Sequence, residues 1–186
     1  MNEYTIVLQR TVHSLFKLHV SRGGTYNTSL NLKHDFCESA VPIPEIKYGD
    51  IAVDDRGEIG FVNSFDFHGV KRFYWIKNYV RGYVRAWHAH KREAKYFFPI
   101  RGSIVVGAVQ IDNWEKPSKE SKVYRFTLSA NRPAIVYVPE GYANGVMTLT
   151  EDAVLIVFST STLEESKQDD FRYNSRHWDI WNVTER

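Results

Sequence analysis

From Ile46 onward the chain is punctuated so evenly that little besides a β-fold can accommodate it. Short apolar or alternating runs near 58–65, 71–76, 83–89, 95–100, 103–112, 122–128, 134–138, 144–149 and 153–159 are separated by turn residues. The breaks include Asp55-Arg56-Gly57, His68-Gly69, Arg81-Gly82, Arg101-Gly102, Asn131-Arg132-Pro133 and Pro139-Glu140-Gly141. Many short strands joined by such turns predict a sandwich or barrel of the jelly-roll kind. Only Leu163 to Asp170 reads as a helix. The expected fold is therefore all-β, a jelly-roll barrel over 44–186 with an N-terminal arm over 1–43 and a short C-terminal tail. Trp178 and Trp181 are large enough to predict that the tail packs down. In the arm, Tyr4 to Leu8 and Val12 to Val20 alternate as strands do, and Ser21-Arg22-Gly23-Gly24 is a turn. Such an arm suits pairing with the edge of a neighbouring subunit, hence a homodimer.

The chemistry concentrates between Gly82 and Gly102. His88 and His90 are one residue apart, so on an extended chain both imidazoles share a face. The apolar run Tyr96 to Ile100 ends near Gly102, which predicts that the chain doubles back into a partner strand, Ser103 to Asp112. Net charge is only +2, with basic residues grouped at Lys71-Arg72, Arg81, Arg85 and Lys91-Arg92. Local basic groups without a basic whole suit a small anion such as a diphosphate, and do not suit nucleic acid. Aromatics at 15% fit a β-rich fold and a site that stacks flat ligands. The single cysteine, Cys37, excludes an internal disulfide and points to a reducing compartment. No apolar run approaches the roughly 20 residues of a membrane span. The start of the chain is broken by Gln9, Arg10, His13 and Lys17, unlike a signal peptide. The expected location is the cytoplasm.

The spacing of Gly82, His88, His90, position 95 and Gly102 resembles the first signature of the cupin superfamily, and Pro139, Gly141 and Asn144 resemble the second. In metal-binding cupins the positions at 95 and 144 are glutamate and histidine. Here they are Lys95 and Asn144, a cation and a poor ligand. No metal and no cofactor are expected. An imidazole pair beside an ammonium suits removal of a proton next to a carbonyl: histidine titrates near neutrality, and a fixed cation stabilises an enolate oxygen.

Asp54-Asp55-Arg56-Gly57-Glu58, Arg85-Ala86-Trp87-His88 and Pro139-Glu140-Gly141-Tyr142-Ala143-Asn144-Gly145 resemble motifs of the epimerases acting on dTDP-4-keto-6-deoxyhexoses. Val70-Lys71-Arg72-Phe73-Tyr74 and His88-Ala89-His90-Lys91 resemble the 3,4-ketoisomerases of the same sugars. The resemblance implies a nucleotide-diphosphate sugar substrate and isomerisation at C3, with C5 also open, for a surface polysaccharide or deoxysugar product. It implies His88 as base, His90 as its partner and Lys95 on the C4 enolate. Arg56 and Arg85 would hold the diphosphate, and Tyr142 and Asn144 would contact substrate.

Arg85 and His88 have opposite parity, so both reach one cavity only if the strand bulges. The epimerases' acid tyrosine should fall near Val157 or Phe158, which have no proton to give. Tyr83, Tyr96, Tyr137 and Tyr142 are the candidate replacements. The family's histidine-orienting aspartate should fall near Asn174-Ser175, with Asp169, Asp170 and Asp179 close by. Two readings stand beside epimerisation: 3,4-ketoisomerisation by the two histidines, and a sugar-binding module without catalysis.

Overall fold

Strand polarity in this chain alternates apolar-in and polar-out, and the computed structural model shows which way each alternation turns. It describes residues 5–9, 15–19 and 42–183. Clustering of contacts separates two units, Met1–Ser39 and Ala40–Arg186. In the first, β1 (Thr5–Gln9) and β2 (Leu15–His19) form an antiparallel pair. The rest of the expected arm lies outside the described residues.

The second unit contains β3 (Glu45–Tyr48), β4 (Asp50–Asp54), β5 (Gly57–Phe61), β6 (Arg72–Lys77), β7 (Val84–His90), β8 (Lys95–Arg101) and β9 (Ser103–Gln110). It continues with β10 (Val123–Ser129), β11 (Ala134–Val138), β12 (Tyr142–Thr148), β13 (Val154–Ser159), α1 (Leu163–Lys167) and β14 (Phe171–Arg172). One sheet runs β10-β9-β12-β7-β14 and the other β3-β11-β8-β13-β6, while β4 and β5 form a separate hairpin. The architecture is the expected all-β jelly roll. The helix closes at Lys167, earlier than expected, with Thr162 and Glu165 forming a reciprocal cap at its start.

One expectation needs correction. β8 and β9 follow each other directly, yet they are not ladder partners: β8 pairs with β11 and β13, and β9 with β10 and β12. The turn at Gly102, whose φ is +65°, carries the chain from one sheet to the other. β7 and β8 also lie in different sheets. The histidines and Lys95 therefore enter the interior from opposite walls.

Two apolar clusters hold the domain. Between the sheets pack Phe97, Ile104, Val106, Leu128, Val136, Leu155 and Val157. The other face of the β7-containing sheet carries Trp87, Ala89, Val105, Val109 and Met147, with Trp178 and Trp181 of the C-terminal segment. The expected packing of the tail is thus observed, and both tryptophans are buried. Gly107 and Gly145 face each other across β9 and β12, leaving room for this layer. A methyl added at Gly107 would lie 2.7 Å from Trp87 Cη2 and 2.6 Å from Ile180 Cδ1. Gly107→Ala should therefore destabilise the domain by ~1–3 kcal/mol through overpacking, read as a lower melting temperature with earlier exposure of tryptophan fluorescence.

Candidate active site

From Trp87 to His90, alternate residues of β7 divide between the two faces of the sheet. Trp87 and Ala89 join the tryptophan layer, and His88 and His90 face the interior. Arg85 lines the same cavity despite its opposite parity. The register explains how: Asn144 of β12 pairs with His88, but Val146 pairs with Arg85, so two steps on β12 span three on β7. This is the irregularity that the parity of Arg85 and His88 requires.

The cavity has a volume of about 680 Å³. His88, His90 and Asn144 stand on one sheet; Arg72, Tyr74 and Ile76 of β6 and Lys95 and Phe97 of β8 stand on the other. Asp170, Arg172 and Lys167 reach it from the C-terminal segment, and Arg85 and Lys77 also line it. Asn144 is buried directly beside His88 in the ladder.

The two histidines differ in what holds them. His90 is buried, its Nδ1 2.7 Å from the carbonyl oxygen of Asp169 and its Nε2 2.8 Å from Lys95 Nζ. A carbonyl can only accept, so Nδ1 carries the proton; an ammonium can only donate, so Nε2 offers its lone pair. Both ring nitrogens of His90 are thereby occupied. His88 is partly exposed, with Nδ1 3.8 Å from Asp170 Oδ1. Among the described residues nothing hydrogen-bonds to its ring. Burial, Arg172 and Lys95 hold the His88 imidazole below its ordinary range, against the pull of Asp170. The same influences favour the neutral form of the ring.

Lys95 is buried, and burial brings its ammonium down to about 8, with Glu93 acting in the opposite direction. Glu93 is fully enclosed. Its Oε1 accepts from Ser159 Oγ at 2.6 Å and from Arg72 at 3.2 Å, and its Oε2 accepts from Ser166 Oγ at 2.8 Å. Oε2 is also 3.1 Å from His90 Nδ1, and Oε1 is 3.8 Å from Lys95 Nζ. Burial works to raise this carboxyl, but Lys95, Ser159 and His90 outweigh it and hold it below the ordinary carboxylate range. Among the described residues no group of three or more His, Cys, Asp or Glu side chains is arranged to hold a metal ion.

Two expected residues do not reach this cavity. Arg56 sits at the tip of the β4–β5 hairpin, where its exposed guanidinium turns back onto Asp54. Tyr142 is drawn into the apolar core between the sheets beside Tyr124; its buried hydroxyl has no hydrogen-bond partner among the described residues. The other three tyrosines weighed as acids also lie elsewhere. Tyr83 is exposed under the Arg85 guanidinium, and Tyr96 and Tyr137 pack against each other and line a separate cleft with Phe65 and His68.

Two tyrosines line the cavity, the exposed Tyr79 and, on the β6 wall, the partly buried Tyr74. Tyr74 is the ladder partner of Val157, the position at which the epimerases' tyrosine was expected, displaced by one strand. Burial, reinforced by Glu93, pushes this phenol up to about 12. The inward alternation of Arg72, Tyr74 and Ile76 on β6 was the signal available for it.

Of the three neighbouring aspartates, Asp170 takes the place beside His88. Asp169 accepts from the Lys91 and Arg92 amides, and Asp179 lies at the Trp181 amide. Ser175, where the family's aspartate was expected, instead lends its carbonyl to the Trp87 and Trp181 indoles.

The profile of the dTDP-4-dehydrorhamnose 3,5-epimerase family matches residues 63–185, more than half of the chain. The chain belongs to this family. Among curated proteins it is similar to the spore coat polysaccharide biosynthesis protein SpsL of Bacillus subtilis, at 28% identity over 121 residues, 63% of this chain and 78% of that protein. Among solved structures it resembles a dTDP-4-dehydrorhamnose 3,5-epimerase from Bacillus anthracis, with a TM-score of 0.61 and 19% identity over 76% of this chain and 86% of the other. It also resembles the QdtA 3,4-ketoisomerase from Thermoanaerobacterium thermosaccharolyticum, with a TM-score of 0.52 and 18% identity over 74% and 93%. At these identities the likeness speaks for the fold. No helix among the described residues is long and apolar enough to cross a membrane.

The pairing of His88 with Asp170 yields a direct test. Because Asp170 favours the protonated ring of His88, Asp170→Asn should lower the His88 titration midpoint further, measured by NMR of the imidazole carbon-bound protons.

Proposed function

We propose that the chain is an isomerase of a nucleotide-activated 4-keto-6-deoxyhexose, and that its reaction is metal-independent epimerisation at C3. The observation that carries this reading is the asymmetry of the histidine pair: His88 is unengaged and neutral, whereas His90 is committed to Lys95 and Asp169. His88 removes the C3 proton, made acidic by the neighbouring ketone. The electron pair passes to the C4 oxygen, where Lys95 stabilises the developing enolate charge. The proton is then returned to C3 from the opposite face by the Tyr74 hydroxyl on the facing sheet.

Arg85, Lys167 and Arg172 supply cations for the diphosphate, for which arginine's planar fork is suited, and Asn144 offers hydrogen bonds to the sugar. The B. anthracis epimerase, solved with TDP and pyrophosphate bound, supports a nucleotide substrate, and the similarity to SpsL supports a surface polysaccharide as the product's destination. A reducing cytoplasm fits the lone cysteine. Phe73 and Trp75, exposed on the sheet-edge strand β6, support a homodimer.

The 3,4-ketoisomerase reading draws on the His88-Ala89-His90-Lys91 motif, but it needs two imidazoles free to shuttle protons on one face. Only His88 has an unoccupied ring.

Incubation with dTDP-4-keto-6-deoxyglucose in deuterated water should place deuterium at C3 and yield the C3 epimer. Deuterium at C5 as well indicates double epimerisation, and a 3-keto product indicates ketoisomerisation. Nucleotide-sugar binding without any exchange defines a binding module and overturns the reading. His88→Ala should slow C3 exchange by about 10²–10⁴-fold while still binding nucleotide sugar. Tyr74→Phe should retain exchange at C3 but form little epimer, read by NMR of the sugar ring.

A further inference from the structure

Glu93 has no part in the proton transfers outlined above, yet the site is assembled around it. Two serine hydroxyls and an arginine converge on its carboxylate from three elements: Ser159 of β13, Ser166 of α1 and Arg72 of β6. On its open side it meets His90 Nδ1 at 3.1 Å and Lys95 Nζ at 3.8 Å. An enclosed carboxylate surrounded this fully keeps one orientation and one charge.

We propose that Glu93 is a positioning residue for the enolate-stabilising lysine. With the Asp169 carbonyl it holds the proton of His90 on Nδ1, and the Nε2 lone pair left bare by that tautomer receives an N–H of Lys95, fixing the ammonium in the cavity and keeping it charged. The inference rests on the isomerase reading for what Lys95 does, but not for how it is held.

The competing tautomer fails locally. With the proton on Nε2, a ring N–H would point at the Lys95 ammonium 2.8 Å away, and an imidazole lone pair would point at the Asp169 carbonyl oxygen 2.7 Å away. With His90 arranged as observed, Lys95 sits in a mixed field. Arg72 and Tyr74 face it from β6, His88 and His90 from β7, and Asp170 and Arg172 from the C-terminal segment. Burial and Arg72 draw its pKa down, while Glu93 and Asp170 hold it up. Because Glu93 is the foremost of the opposing groups, its charge decides how far into the alkaline range Lys95 remains an ammonium.

The test is the pH profile of C3 solvent exchange. In the wild type the alkaline limb should report loss of the Lys95 proton. Neutralising the carboxylate in Glu93→Gln should move that limb to lower pH by about one unit or more, as expected for loss of an opposite charge at this distance. Glu93→Asp, which keeps the charge, should leave the limb closer to its wild-type position. A Glu93→Gln profile reduced by the same factor at every pH, with its limb unmoved, would mean that Glu93 only supports the fold and would overturn the proposal.

If Glu93→Gln does not fold, long-range proton–nitrogen NMR of the imidazoles in the wild-type protein decides instead. His90 protonated at Nδ1 supports the proposal, and His90 protonated at Nε2 sinks it. Should the wild type show no exchange with the sugar, the isomerase reading fails, while the Lys95 titration midpoint compared by NMR between the wild type and Glu93→Gln still judges the role of Glu93.

Discussion

A lysine enclosed between two β-sheets keeps its charge only if an acid is enclosed with it. Stripping water from an ammonium is costly, and the usual outcome for an isolated group is loss of its proton. In this chain the compensation is local. Lys95 begins β8, Glu93 lies two residues before it, and His90 ends β7 three residues before that. The β7–β8 connection therefore carries the centre of a polar network into the space between the sheets. Ser159, Ser166 and Arg72 complete it from other elements, so that every oxygen of Glu93 is engaged. Such networks are stable when fully satisfied and costly when partly so, which ties the folding of α1 and β13 to the chemistry of the cavity.

The jelly-roll connectivity turns this network into a site with two walls. Because consecutive strands alternate between sheets from β6 through β9, the histidines project from one sheet while Lys95 and Tyr74 project from the other. A carbon held between them has a base on one side and a hydroxyl on the other. The register irregularity between β7 and β12 adds Arg85 to the same space, and the capped turn of α1 sets Asp170 beside His88. The outer layer of tryptophans has a supporting role. By burying the far face of β7 and taking hydrogen bonds from Trp87 and Trp181 onto Ser175, it fixes the strand whose near face carries the imidazoles.

Much of this was legible in the residues themselves, for physical reasons. Strand positions follow from turn chemistry and period-two alternation, both local properties. The shared face of His88 and His90 needs only the pleat. The bulge near Arg85 follows from parity alone, and the packing of the tail from the size of Trp178 and Trp181. What could not be read were long-range partners. The sheet change at Gly102 resembles a hairpin turn in sequence, because a glycine with positive φ serves both. Tyr74 is not legible in the same way, because the family's tyrosine position falls on β13 at Val157, and only the ladder brings a residue of β6 beside it. Tyr142 lies in the core and not on the cavity, a distinction sequence does not show because an inward-facing strand position can belong to either. Glu93 looks in sequence like one more charge in a solvated turn, Lys91-Arg92-Glu93, and only tertiary enclosure distinguishes it from its neighbours.

On the proposed reading, this two-walled cavity is where a nucleotide sugar is held for proton exchange. A crystal structure with dTDP-4-keto-6-deoxyglucose, or with its unreactive dTDP-glucose analogue, tests it most directly. The sugar should lie between His88 and Tyr74, its C4 oxygen toward Lys95, and its phosphates against Arg85 or Arg172. A sugar bound in the Tyr96–Tyr137 cleft, or a metal ion seated on His88 and His90, would contradict it.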